Sequence, residues 1–360
     1  MSTDYRAIPG LLYEFQMRLH ALQYLRAIAA IAVVWSHAVI QRDEYRQYLA
    51  ETGAWGVDVF FVISGFIMVF ISKPTDTPKK FLVNRISRVV PLYWFFTLLT
   101  AVILLAMPNL FNNSEFSWIA TIKSFLFIPE VSITKSNDLW PILAPGWSLN
   151  YEMFFYVVFA LSLFAPVKYR VWACCTAIVA LMVLAGVFDN GGPITQFYSQ
   201  PIVLEFILGM LLAIAFKRDL LRVSQPVAWF LIVAGFVLLI FLPSPREFVI
   251  LSHGIPALMI VTGTLYCKMG ESRFFVMLGD SSYSLYLCHI FTLGGCRLIL
   301  VPMLGEGRMA AILFAILSTL ICIASGVVVH YMIDNWLLKK ERFADLSRLA
   351  KGRKASVAGN

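Results

Sequence analysis

Residues 22–40 read LQYLRAIAAIAVVWSHAVI, an apolar run broken by only two side chains able to carry positive charge, Arg26 and His37. A helix rises about 1.5 Å per residue and needs about 20 apolar residues to cross a bilayer's hydrocarbon core, so this run is long enough to span a membrane.

Nine further stretches of the same kind follow, at 54–72, 89–107, 147–165, 170–188, 201–216, 227–243, 249–267, 283–301 and 310–333. The chain is 59% hydrophobic and 14% charged, with 29 Phe and 9 Trp, and the apolar share of a soluble domain is only about half. Strands are excluded because the runs are continuously apolar, whereas a membrane barrel shows alternating segments of about ten residues. The expected fold is an all-α, polytopic transmembrane bundle of about ten spans with both termini cytoplasmic. Residues 1–338 form the membrane domain, and 339–360 a basic cytoplasmic tail.

The placement of Lys and Arg tests this count independently, because short cytoplasmic loops carry the excess. With the N-terminus inside, the inner segments hold Arg6, Arg18, Lys73, Lys79, Lys80, Arg85, Arg88, Lys168, Arg170, Lys217, Arg218, Arg222, Lys268, Arg273 and the tail. The outer segments hold only Arg42, Arg46, Lys123, Lys135, Arg246 and Arg308. The net charge of +8 therefore reads as topology and attraction to anionic lipid, with the bilayer as partner and no nucleic acid. Residues 1–20 are mixed polar and do not read as a cleaved signal, so the first span serves as the membrane signal. The six cysteines lie in apolar runs without ligand spacing and read as small core residues, with no metal site. The long external segment 108–146 contains a short apolar stretch, Phe116 to Pro129, that reads either as a cap on the bundle or as the lid of a substrate groove.

Ionisable residues inside spans are costly and mark function by default. Arg26 and His37 stand eleven residues apart, three turns plus roughly 20°, hence on one stripe and about 16 Å apart in depth. Counting from span ends puts His37, Asp58 and Glu152 in one outer layer, and Arg26 with Arg85 and Arg88 in an inner one. The outer layer suits proton transfer, since an imidazole held by a carboxylate is a good general base for a sugar hydroxyl. The inner layer suits a phosphate-rich donor, since Arg makes bidentate, charge-assisted contacts to phosphate. No metal is required for this chemistry.

Five segments, LQYLRAIAAIAVVWSHA (22–38), GVDVFFVISGFIMVF (56–70), FLVNRISRVVPLYWFF (81–96), PGWSLNYEMFFY (145–156) and GDSSYSLYLCHI (279–290), resemble the acyltransferase family 3 membrane O-acyltransferases, especially the branch that modifies exopolysaccharides. The family's Arg-ten residues-His signature falls on Arg26 and His37, its basic pair on Arg85 and Arg88, and its Trp-Ser-Leu-x-x-Glu segment on Trp147 to Glu152. The resemblance implies no bound cofactor, acetyl-CoA or another acyl-CoA as co-substrate, and a carbohydrate acceptor, either exopolysaccharide or lipid-linked glycan. It implies His37 as the catalytic residue, and the bacterial inner membrane as the location. One departure is Asp334, Asn335 and Trp336, where such proteins often carry Glu and Pro.

The catalytic expectation is thus His37 with Asp58 and Glu152, and the donor expectation is Arg26, Arg85, Arg88, Tyr286 and His289. Each has a plainer reading beside it. His37 and His289 could be histidines satisfied by neighbouring helices, Arg85 and Arg88 a topological signal, and Asp58 with Glu152 a pair tying helices together. Ser64 as nucleophile is disfavoured because no base is expected at its depth. The rival function is a transporter or flippase of a lipid-linked glycan, which would also need a polar stripe; against it, the chain has no matching halves with interrupted helices.

Overall fold

The opening run is one continuous helix, α1 (Pro9–Ile40), and in the computed structural model every described element is helical. The structure describes residues 9–42, 53–107, 116–131, 139–242 and 248–334. The expected tail at 339–360, and Asn335 and Trp336, lie outside the described residues, as do parts of the 108–146 segment. After α1 come α2 (Gly56–Ile71), α3 (Pro78–Ala106), a short α4 (Trp118–Phe125), α5 (Gly146–Ser162), α6 (Arg170–Val187) and a short α7 (Pro193–Tyr198). Then follow α8 (Leu204–Lys217), α9 (Gln225–Phe241), α10 (Ile255–Tyr266), α11 (Arg273–Asp280), α12 (Ser282–Leu304) and α13 (Arg308–Val329).

Five of these are long and apolar enough to cross a membrane by length and composition: α1 from His20, α3, α6, α12, and α13 continued to Ile333. Shorter apolar helices include α2, α9 and the stretch Ile250–Tyr266. Their outward faces carry large apolar side chains. On α6 only Cys174, Cys175 and Ile178 are buried, while Trp172, Leu181, Val183, Leu184 and Val187 point outward. A water-soluble monomer rarely exposes so much contiguous apolar surface, whereas hydrocarbon accepts it without cost. The chain is a multi-pass helical membrane protein.

The first helix begins at Pro9, well before the apolar run at 22, and three further boundaries differ from the hydropathy reading for local reasons. The third helix begins at Pro78, well before 89, because Thr77 caps it by accepting from the Lys80 amide and Pro78 is preorganised for the first helical position. That start signal is polar and invisible to an apolar count. The 201–216 run opens with a 3-10 turn, Pro201–Val203, before α8, and the 249–267 run opens with a π turn, Ile250–Gly254, before α10. All six cysteines are buried free thiols.

Small residues bring helix backbones together, as expected where apolar burial offers no preference for protein over lipid. At the crossing of α2 and α8, a methyl group on Gly65 would lie 2.1 Å from the Phe206 carbonyl oxygen, and one on Gly209 would lie 2.0 Å from that of Val62. Helix α1 runs through the centre, touching α2, α10, α11, α12 and α13.

The segment before α5 dips into the bundle. Tyr93, midway along α3, donates to the Ser124 carbonyl at 3.1 Å, and Ser124 Oγ accepts from the Ile142 amide at 3.0 Å. Gly146 packs against the Tyr93 ring so closely that a methyl there would meet it at 2.7 Å. Helix α5 therefore starts below the surface. Helix α4 buries Ala120, Thr121 and Ser124 and turns Trp118, Ile119 and Ile122 outward, the arrangement of a helix lying in a membrane interface.

Candidate active site

A cavity of about 330 Å³ opens between α1, α2, α3, α5 and α12. Arg26 of α1 and Arg85 and Arg88 of α3 all line it, so the inner basic group expected from the sequence is brought together. Arg88 is also the cation next to Arg26, with Glu152 and Asp280 the nearby carboxylates. Among the described residues none of the three guanidiniums forms an ion pair, and Arg85 Nε is buried without a hydrogen-bond partner. Unpaired cations in a low-dielectric wall are unfavourable until an anion joins them, and guanidiniums match phosphate oxygens best.

The expected cluster of His37, Asp58 and Glu152 is not formed, and this is the main correction to the sequence reading. Glu152 lines the Arg cavity, where its Oε1 accepts hydrogen bonds from Tyr156 and, at 3.3 Å, from Ser64. A carboxylate base therefore does stand beside Ser64, contrary to the expectation from depth. Asp58 is buried, and its carboxyl meets that of Glu205 on α8, with His253 nearby. Neither buried oxygen of Glu205 receives a hydrogen bond from a donor group of the described residues. The two acids stand together on the facing sides of α2 and α8, near the crossing marked by Gly65 and Gly209.

His37 has a different neighbour. Its ring meets that of His289 on α12 edge to face, with centroids 4.9 Å apart and planes at 71°. His37 Nδ1 lies 2.9 Å from the Val33 carbonyl, and His289 Nδ1 lies 2.7 Å from that of Tyr286. A carbonyl oxygen can only accept, so both Nδ1 atoms carry hydrogen, and in each neutral ring Nε2 is the free base. His289 is fully buried and its Nε2 has no hydrogen-bond partner, while His37 is partly exposed.

Tyr286 links the two regions. It lines the cavity, its ring lies 6.0 Å from that of His289 and 6.4 Å from that of Phe60. Its hydroxyl donates to the Pro145 carbonyl at 3.0 Å and shares a hydrogen bond with Ser148 Oγ at 2.7 Å. Neither histidine lines the cavity itself. The order along the protein is thus Arg cluster, Tyr286, His289, His37.

Sequence reasoning missed Gln23, Tyr156, Ser148, Asp280 and Glu205. Each carried a usable signal: Gln23 and Tyr156 stand one turn from Arg26 and Glu152, Glu205 is an acid inside an apolar run, and Ser148 and Asp280 lie within the quoted 145–156 and 279–290 segments. Among the described residues, no group of three His, Cys, Asp or Glu side chains is arranged to hold a metal ion.

The profile of the family described as "Acyltransferase domain" matches residues 19–329. The exopolysaccharide production protein ExoZ of Rhizobium meliloti (strain 1021) is 36% identical over 315 residues, covering 84% of this chain and 95% of that protein. The acyltransferase MdmB of Streptomyces mycarofaciens is 24% identical over 361 residues, covering 89% of this chain and 91% of its own length. No solved structure matches the chain.

Proposed function

This chain belongs to the acyltransferase domain family matched over residues 19–329, and from that premise we propose that it transfers an acyl group, acetyl in the first instance, from acyl-CoA to a hydroxyl of an exopolysaccharide. The observation that carries the donor assignment is the convergence of Arg26, Arg85 and Arg88, without ion pairs among the described residues, on a cavity of about 330 Å³. That volume falls at the small end of the range for ligand pockets, about 300–1,000 Å³, and suits an extended pantetheine arm. The nucleotide phosphates then rest at the mouth, where Arg88 is exposed.

His37 acts as the general base through Nε2. As the acceptor oxygen attacks the thioester carbonyl carbon, its proton passes to His37, and when the carbon–sulfur bond breaks the imidazolium returns that proton to the departing thiolate. The site is neutral in protons over a cycle, and no group besides donor and acceptor is consumed. Arg26 and His37 are about 16 Å apart along α1, a separation bridged by the donor's arm.

The topology that serves this chemistry has ten spans, with both termini and the Arg cluster on the cytoplasmic side of a bacterial inner membrane. The distribution of Lys and Arg supports it. Acyl-CoA is then met where it is made, and the acceptor on the opposite face.

The test is direct. Purified chain reconstituted in lipid is given acetyl-CoA with and without exopolysaccharide, while free CoA thiol and the mass of the polysaccharide are followed. Acceptor-dependent thiol release with acetylated product is expected. No consumption of acetyl-CoA would reject the reading and favour passage of a glycan without chemistry.

A further inference from the structure

Arg26 donates through one terminal nitrogen to Gln23 Oε1 at 3.1 Å, and Gln23 Nε2 donates to Asp280 Oδ1 at 2.9 Å. The carboxylate of Asp280 only accepts, so it fixes which end of the Gln23 amide faces it. The NH₂ turns to Asp280 and the oxygen to Arg26. Were the amide reversed, its NH₂ would confront the guanidinium donors and the oxygen would confront the carboxylate. Asp280 does not line the cavity, yet it sets the side chain against which Arg26 rests.

The backbone is built to permit this. Helix α11 is held on α1 at both ends: Tyr24 hydroxyl donates to the Gly270 carbonyl at 3.1 Å and accepts from the Ser272 amide at 2.6 Å, and Asp280 holds Gln23 at the other end. Between them Gly279 lies so close to α1 that a methyl there would fall 2.2 Å from the Gln23 carbonyl oxygen. Only a residue without a side chain lets Asp280 reach Gln23.

We infer that Asp280 is a positioning residue for the donor site, orienting Gln23 so that the guanidinium of Arg26 is held in place with its remaining donors available to the phosphates of acyl-CoA. This rests on the donor reading given above and deepens it. Gln23 is the intermediary, so the effect of Asp280 passes through it.

The experiment is a double-mutant cycle on the full chain in lipid, with acetyl-CoA titrated at saturating acceptor and thermal denaturation followed in parallel. Asp280→Ala and Gln23→Ala should each raise the KM for acetyl-CoA about tenfold while kcat stays within about twofold. The double variant should be no worse than Gln23→Ala alone. Asp280→Asn, whose amide oxygen can still accept from Gln23, should keep most of the affinity. It carries the test if Asp280→Ala does not fold. Additive losses in the double variant, a loss confined to kcat, or an Asn variant as impaired as Ala would overturn the inference and leave the donor reading intact. Failure of the unmodified chain to saturate with acetyl-CoA would overturn both.

Discussion

The imidazoles of His37 and His289 meet edge to face with centroids 4.9 Å apart, each with Nδ1 bound to a carbonyl of its own helix. The proposed base, grouped with carboxylates in the sequence reading, therefore has a backbone carbonyl and a second imidazole as its neighbours. The carbonyl performs the tautomer-fixing task that a carboxylate performs elsewhere, and does so without adding negative charge inside the membrane.

Removal of the base should be severe. His37→Ala is expected to lower turnover roughly hundredfold or more, with a denaturation midpoint shifted far less than turnover, because His37 is not fully buried. Near-normal turnover by this variant would remove His37 from the chemistry.

Arg85 and Arg88 should act on donor binding. Arg85→Ala and Arg88→Ala are expected to raise the KM for acyl-CoA more than they lower kcat, as for contacts shared by ground and transition states. An unchanged donor titration would leave both residues as topological signals only.

The two carboxylates grouped with His37 from the sequence should now behave differently from it. Glu152→Gln removes the negative charge nearest the Arg cluster while keeping an acceptor for Ser64 and Tyr156, so the KM for the anionic donor should fall roughly two- to fivefold. Asp58→Asn should leave kcat within about threefold, since Asp58 faces Glu205 on the α2–α8 crossing. Steady-state kinetics distinguishes these outcomes. A kcat loss in either variant as large as that of His37→Ala would return the carboxylate to proton transfer.

Gly65→Ala should destabilise by about 1–3 kcal/mol, because its methyl would strike the backbone carbonyl of Phe206 and force α8 away from α2. Gly295→Ala is the matched control. It meets nothing within 4 Å and should be neutral or slightly stabilising. Thermal denaturation in detergent reads both, and equal midpoints would contradict the tight crossing.

The helical membrane architecture and the inner basic group were legible in the sequence because both depend on local composition: long apolar runs, and Arg residues at intervals of one turn. What was not legible was which helices are neighbours and at what depth each begins. Counting five residues from the outer end of its span puts Glu152 in the outer layer. The preceding segment folds inward onto Tyr93 and Ser124, so α5 starts low and Glu152 reaches the cavity of Arg26. For His289 the sequence leaves two readings open, a donor-path residue and a histidine satisfied by a neighbouring helix. In the structure its ring meets that of His37 across the α1–α12 contact, a neighbour that no count along a single helix reveals. Equal counts from span ends do not give equal depths when the connecting segments enter the bundle.

The central claim is that the acyl arm enters the cavity at the Arg cluster and extends past Tyr286 to reach His37, so that donor and acceptor meet from opposite faces. Sealed vesicles of known orientation test it, with acetyl-CoA supplied only to the face bearing the Arg cluster and exopolysaccharide confined to one side at a time. Acetylation of acceptor on the opposite face, and little on the donor face, is predicted. Efficient acetylation only of acceptor on the donor face would contradict the path through the bundle.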